Sequence, residues 1–333
     1  MVAPIQTVQI GCGNRGQAHA NALSQSDAFD LVAVCDLDHN RAETTAATFA
    51  VPAFGSDLEN VLDEHRPTHV TVVTPATVRE SVLETVIDFE PASIVFEKPV
   101  ATTYEEVVRI KELVDDTASH VVVCHQHIYG EELQALKRWL DQGRIGNVER
   151  LVGTTNGGLY EHGTHFLHTL NWLLDDQVEW VSAHCAWGDH PFDDWHAAVE
   201  PTDALVELAY ASGPRGFLHL GPAAPSVPAQ EGTFWLEYRL DIIGTDGHAQ
   251  FVLGSHASCR SGDERIDRLE VEGFDPDGAS TAALYEELAD VLGGRQDLHP
   301  SRFSTAFDAH RIVEASLQSG TREKRVDLAS ISN

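Results

Sequence analysis

The first third of the chain repeats one pattern: a short apolar run, a turn, then a stretch in which apolar residues recur every three to four positions. The apolar runs are 8–11, 31–35, 70–74, 93–96 and 120–124, and helical periodicity fills the intervals at 17–24, 40–49, 58–65, 79–88 and 104–114. Strands separated by helices cannot pair as hairpins, so this spacing predicts a parallel, doubly wound sheet. Past residue 125 strand-like runs follow one another more directly, at 148–156, 178–185, 204–211, 216–219, 235–243, 249–253 and 268–271. Helical stretches are expected at 131–142, 161–174, 281–292 and 304–317, with a proline- and alanine-rich loop at 221–232. The expected architecture is α/β: a doubly wound parallel sheet over residues 1–124, then an α+β domain over 125–333 with a largely antiparallel open sheet.

A chain of 333 residues, 42% of them hydrophobic, can bury two cores. Its 52 acidic and 22 basic residues give a formal charge of -30, spread along the chain. That balance disfavours nucleic acid and anionic membrane surfaces as partners. Only Lys98, Lys111, Lys137 and Lys324 are lysines, and such an acidic, lysine-poor surface fits a salt-rich cytoplasm. Residues 1–7 lack a basic segment followed by an apolar core, and no apolar stretch reaches membrane-spanning length, so a cytoplasmic protein is expected. Cys12, Cys35, Cys124, Cys185 and Cys259 are scattered without metal-site or redox spacing and are expected to be small buried hydrophobes.

Ile10-Gly11-Cys12-Gly13-Asn14-Arg15-Gly16 follows the first strand and opens a helix. This is the glycine pattern of a Rossmann dinucleotide site: Gly11 for a tight turn, Gly13 for approach of the pyrophosphate, Gly16 for close helix packing. Amides at the helix start, at Asn14 and Arg15, face the anion. Asp36 ends the second strand, where a carboxylate accepts both adenosine ribose hydroxyls and repels a 2'-phosphate. NAD is therefore favoured, while nearby Arg41 leaves NADP open; the plainer role for Asp36 is to cap a turn.

Two more strand ends, Thr71-Val72-Val73-Thr74-Pro75 and Phe96-Glu97-Lys98-Pro99, complete a pattern. With the glycine turn, Gly143-Arg144-Ile145-Gly146-Asn147-Val148, Ile243-Gly244-Thr245-Asp246-Gly247 and Ser316-Leu317-Gln318-Ser319-Gly320, the chain resembles the Gfo/Idh/MocA family of oxidoreductases over nearly its whole length. The resemblance implies hydride transfer between a nicotinamide and a secondary alcohol or ketone of a sugar, polyol or related compound. It also implies a sheet domain that carries substrate and builds a homodimer or homotetramer. It places Thr74, Pro75, Glu97 and Lys98 at the cofactor and Lys98 beside the substrate. The acid/base histidine falls in Glu161-His162-Gly163-Thr164-His165, at His165, and His127 and His168 join the substrate set. The sequence departs from the family where Arg79 replaces a histidine after the Thr-Pro motif, where Glu161 replaces an aspartate, and where His168 replaces an acidic residue. Two rivals share this fold: a glycosidase that uses NAD transiently, and a sensor that binds dinucleotide without catalysis.

A helix over 161–172 would place Glu161, His165 and His168 on one face and turn His162 away. A carboxylate one turn from a histidine can orient its ring, and an imidazole with an ordinary pKa of about 6.5 suits exchange of a carbinol proton. Lys98 could polarise the same oxygen. The clustered histidines also invite a zinc reading, but with His162 off the shared face they do not form a tetrahedral set, and no metal is expected.

The charge balance generates a salt prediction. Molar KCl shortens the Debye length to about 3 Å and screens the self-repulsion of the acidic surface. The thermal unfolding midpoint should therefore rise from low to molar KCl; maximal stability at low salt would overturn this.

Overall fold

The computed structural model describes residues 3–188, 198–225, 238–262, 265–271 and 278–332. The first sheet contains β1 (Ile5–Ile10), β2 (Phe29–Cys35), β3 (Ala53–Gly55), β4 (His69–Val72), β5 (Ser93–Glu97) and β6 (His120–Cys124). Their order is β3-β2-β1-β4-β5-β6 and every pairing is parallel. The connecting helices are α1 (Asn14–Ser24), α2 (His39–Phe49), α3 (Leu58–His65), α4 (Arg79–Ile87) and α5 (Tyr104–Asp115). Strand side chains alternate between two cores: Val8, Val70, Val72, Ile94 and Phe96 enter one, and Leu31, Val34, Val95 and Val122 the other.

The remaining elements are α6 (Glu131–Asp141), β7 (Val148–Thr155), α7 (Gly163–Leu174), β8 (Val178–Ala186), β9 (Asp203–Tyr210), β10 (Arg215–Leu220), β11 (Tyr238–Gly244), β12 (Gly247–Val252), β13 (His256–Ser261), β14 (Arg265–Glu270), α8 (Ala279–Leu292), α9 (Phe303–Arg322) and β15 (Val326–Asp327). The second sheet has nine strands in the order β14-β13-β12-β11-β7-β10-β9-β8-β15. It is antiparallel except where β10 runs parallel to β7. Leu151 and Gly153 of β7 face inward and Val152 outward. Phe166 of α7 lies where a Cβ on Gly153 would project, so the helix sits close on the sheet. No helix among the described residues is long and apolar enough to cross a membrane.

Strands β3, β13 and β15 were not expected. Residues 226–232 of the expected loop and 235–237 of the expected strand lie outside the described residues. The chain divides into two compact units, residues 1–129 with 275–307, and 130–274 with 308–333. A single boundary at residue 124 therefore needs correction, because the chain returns to the first unit. The cause is α8, whose Leu284, Tyr285 and Leu288 bury in the same core as Leu31, Val95 and Val122.

Arg79 opens α4 and is 1% exposed. Its Nη2 donates to the Thr74 carbonyl at 2.6 Å, and its Nη1 to the carbonyls of Pro99 and Val100. The guanidinium also lies over the Phe96 ring, 5.5 Å from its centroid. One side chain thus ties the loop after β4 to the loop after β5. Replacing it by Met leaves buried carbonyls without their donor, so Arg79→Met should lower the unfolding free energy by about 3 kcal/mol. Urea titration checks this, and an unchanged midpoint would show that the three carbonyls find other donors.

Candidate functional site

In the first unit the site begins where β1 ends. Gly11 takes φ of +96°, and a Cβ there would overlap the Val73 carbonyl, so the turn requires glycine. Gln9 Nε2 braces the turn by donating to the carbonyls of Gly11 and Gly16, at 2.9 Å each. Sequence reasoning missed Gln9, although a polar residue within an apolar strand was its signal. Gly13 precedes α1 with no side-chain cap, and the first turn of that helix holds no acidic residue. The space where a Gly13 Cβ would project is open to 4 Å. An anion can therefore approach the positive end of α1, past exposed Asn14, without meeting a side chain.

Asp36 lies just past β2. Its Oδ2 accepts from Cys12 N–H at 2.8 Å and its Oδ1 from Asp38 N–H at 2.9 Å. It thus does cap a turn, and the capping fixes it beside the glycine loop. An ionised carboxylate has about four acceptor positions, so capacity for two ribose hydroxyls remains. Arg41, half exposed, stands 3.6 Å from the same carboxylate. At the end of β4 the Thr74 hydroxyl oxygen is buried without a hydrogen-bond partner among the described residues, and Pro75 leads into a short 3-10 turn, Ala76–Val78. An open face at Gly13 and an orphaned hydroxyl at Thr74 both fit a bound dinucleotide.

Glu97 ends β5 and is 5% exposed. Its Oε1 accepts from Arg15 Nε at 2.8 Å and meets His19 Nε2 at 3.1 Å, while Oε2 accepts from the Lys98 N–H at 3.2 Å. Burial raises the Glu97 pKa, but the Arg15 guanidinium, His19 and Lys98 outweigh it and hold the carboxyl well below the usual range. Arg15, expected at the cofactor, directs its side-chain Nε to Glu97, while its backbone lies in the first turn of α1. His19, Glu97 and Cys124 bring possible metal-ligand atoms within 4.8 Å of one another. Burial pushes the Cys124 thiol far up, and Glu97 is already engaged by Arg15 and His19. His127, in the 3-10 turn Gln126–Tyr129, is 5% exposed and also belongs to the first unit.

The second unit holds the histidine segment. Helix α7 starts at Gly163 with His162 as its N-cap, so the expected helix over 161–172 begins two residues too early. Glu161 precedes the helix, and the face expected to join Glu161, His165 and His168 reduces to His165 and His168. The physical reason lies in the two glycines after β7. A Cβ on Gly157 would overlap the His162 ring, and one on Gly158 the Glu200 carboxylate. His162, expected to turn away, is instead buried edge-on against Tyr238 at 6.2 Å between centroids, and its carbonyl accepts from the Tyr238 hydroxyl at 3.0 Å.

Glu200, which nothing in its local sequence marked, is buried and accepts from Tyr160 N–H. Tyr160 packs edge-on to His310 of α9 at 5.2 Å. The Asn156 Oδ1 is buried without a hydrogen-bond partner among the described residues. His165 and His168 are both buried. Burial raises the Tyr238 phenol pKa and the nearby Glu161 carboxylate adds to it, so the charge of Glu161 bears on Tyr238. One unit thus gathers Gly11, Gly13, Asn14, Arg15, Gly16, Asp36, Thr74, Pro75, Glu97, Lys98 and His127, and the other Glu161, His165 and His168.

A scyllo-inositol 2-dehydrogenase (NAD(+)) of Bacillus subtilis is 24% identical over 258 residues, 73% of this chain and 72% of that protein. An inositol 2-dehydrogenase of Burkholderia cenocepacia is 30% identical over 232 residues, 63% of this chain and 65% of that protein, just under two thirds of its length. Among solved structures, an Agrobacterium radiobacter oxidoreductase in complex with NAD+, L-tartaric acid and magnesium superposes with a TM-score of 0.84 at 16% identity, covering 98% of this chain and 99% of that one. A levoglucosan dehydrogenase complexed with NADH gives 0.81 at 17%, again over 98% and 99%. At these identities the structural likeness speaks for the fold. Residues 5–125 match the family described as oxidoreductase, NAD-binding Rossmann fold, GFO/IDH/MocA. The 3-2-1-4-5-6 parallel sheet and the glycine turn agree with that match, so residues 5–125 carry the NAD-binding Rossmann fold of the Gfo/Idh/MocA oxidoreductases.

Proposed function

We propose that the chain is an NAD(H)-dependent dehydrogenase or reductase acting on a secondary alcohol or ketone of a small polyol or sugar. The observation that carries this reading is Asp36, pinned by two backbone amides beside an uncapped helix start with its acceptor capacity incompletely used. The inositol dehydrogenase relatives support a cyclic polyol as the substrate class. A cytoplasmic homodimer or homotetramer belongs to the same proposal.

Bound nicotinamide supplies the hydride acceptor. The residues of this chain do the rest. Asp36 accepts the ribose hydroxyls and repels a 2'-phosphate, and the α1 N-terminus at Gly13 stabilises the pyrophosphate charge. Lys98 donates to the reacting oxygen, and His165 takes or returns its proton. Glu161 precedes the start of α7 at Gly163, so it orients His165 from the segment before the helix and not across one helical turn.

NADH should bind more tightly than NADPH, and Asp36→Ser should narrow or reverse the ratio; fluorescence titration of both nucleotides measures it. Equal affinities in the parent protein would refute the assignment of Asp36. A panel of inositols, other polyols, sugars and sugar acids, followed by NADH absorbance alongside glycoside cleavage, identifies the substrate and separates net oxidation from transient oxidation. With that substrate, His165→Ala and Lys98→Met should each lower kcat by about 100- to 10,000-fold while NADH binding persists. Near-normal turnover in either variant removes that residue from the mechanism.

A further inference from the structure

Behind Glu97 the first unit holds a line of buried polar side chains that the proposed reaction leaves unused. His19 Nε2 meets Glu97 Oε1 at 3.1 Å, His19 Nδ1 meets the Tyr285 hydroxyl at 2.6 Å, and that hydroxyl lies 2.9 Å from Thr71 Oγ1. Thr71 Oγ1 then meets His69 Nε2 at 2.9 Å, and His69 Nδ1 meets Ser93 Oγ at 2.8 Å. His19, Tyr285, Thr71, His69 and Ser93 are each 0% exposed. A line whose far end is dry cannot exchange protons with water, so it does not serve as a conduit. Its function has to be exerted at Glu97.

The protons follow from the chemistry of the groups. An ionised carboxylate only accepts, so His19 carries a proton on Nε2 whatever the charge of its ring. Burial lowers the His69 pKa to about 3, which keeps it neutral with one donor and one acceptor, and the hydroxyls of Tyr285, Thr71 and Ser93 turn to match. Phe29 and His69 pack edge-on around Tyr285 at 5.4 and 5.9 Å, fixing the phenol that backs His19. The carboxylate so held accepts from the backbone N–H of Lys98.

We propose that His19, braced by Tyr285, is a positioning residue: its Nε2–H fixes the Glu97 carboxylate, and through it the Lys98 backbone, for hydride transfer. This rests on the role given above to Lys98. Asn in place of His19 can reproduce the Nδ1 contact with Tyr285, whereas Gln reaches the Nε2 position and can still donate to Glu97. His19→Asn and Tyr285→Phe should therefore lower kcat about 10-fold, with the KM for the polyol and the affinity for NADH nearly unchanged, while His19→Gln restores most of the turnover. A purely structural role predicts instead that all three variants lose stability without this split.

Nitrogen-15 spectra of the histidine-labelled, NADH-bound full chain test the geometry directly, with the His19 signals assigned by their loss in His19→Gln. Protonation at Nε2 is expected; a ring protonated only at Nδ1 overturns the proposal, whatever the turnover of His19→Asn and Tyr285→Phe. Normal turnover in His19→Asn also overturns it when Lys98→Met is impaired. Normal turnover in Lys98→Met removes the underlying role of Lys98 instead.

Discussion

A carboxylate taken out of water must find a donor for its lone pairs, and Glu97 imposes that demand on the whole first unit. An uncompensated buried charge of this kind costs roughly 3–5 kcal/mol, a large share of the stability of any domain. The compensation comes from three separate parts of the chain: Arg15 and His19 from α1, the Lys98 amide from the adjoining residue, and Tyr285, one step behind, from α8. The glycine turn that starts α1 therefore sets the place of Arg15 and His19 as well as a surface for phosphate. The return of residues 275–307 to the first unit follows from the same requirement, since α8 brings both the phenol and the apolar residues around it.

Most of the first unit was legible because its strands are short apolar runs and its helices carry clear periodicity. Strand β6 and helix α3 fall where the pattern put them. β3 is only three residues long and none of them is fully buried, which leaves no periodic signal. β13 has the right alternation, with Ala257 and Cys259 inward, but small residues separated by polar ones carry little hydrophobic contrast. The last helix was expected to end near 317. It continues to Arg322 because Gly320 is a point of close approach, where a Cβ would meet Cys185, and not a stop.

The site was legible where a residue type has a fixed physical purpose. Gly11, Gly13 and Asp36 stand where the turn geometry required them, and the buried cysteines keep their thiols protonated, Cys12 and Cys35 with pKa values pushed up to about 11. It was not legible where a side chain acts through distant partners. Arg79 was visible only as a departure from a family pattern, and its grip on the loops after β4 and β5 depends on strand neighbours that sequence order hides. Gln9, Glu200 and His19 share that character. The phase of the histidine segment failed for a different reason: periodicity cannot see that a ring and a carboxylate occupy the volumes vacated by two glycines.

That last arrangement has an evolutionary consequence. The His162 imidazole fills the space that a side chain at 157 would need, so neither position can drift alone. A methyl group gained at 157 must be matched by a smaller residue at 162, and a bulkier residue at 162 excludes anything but glycine at 157. Over descent the two positions behave as one inherited character, and lineages that abandon the glycine should be found to have abandoned the histidine as well.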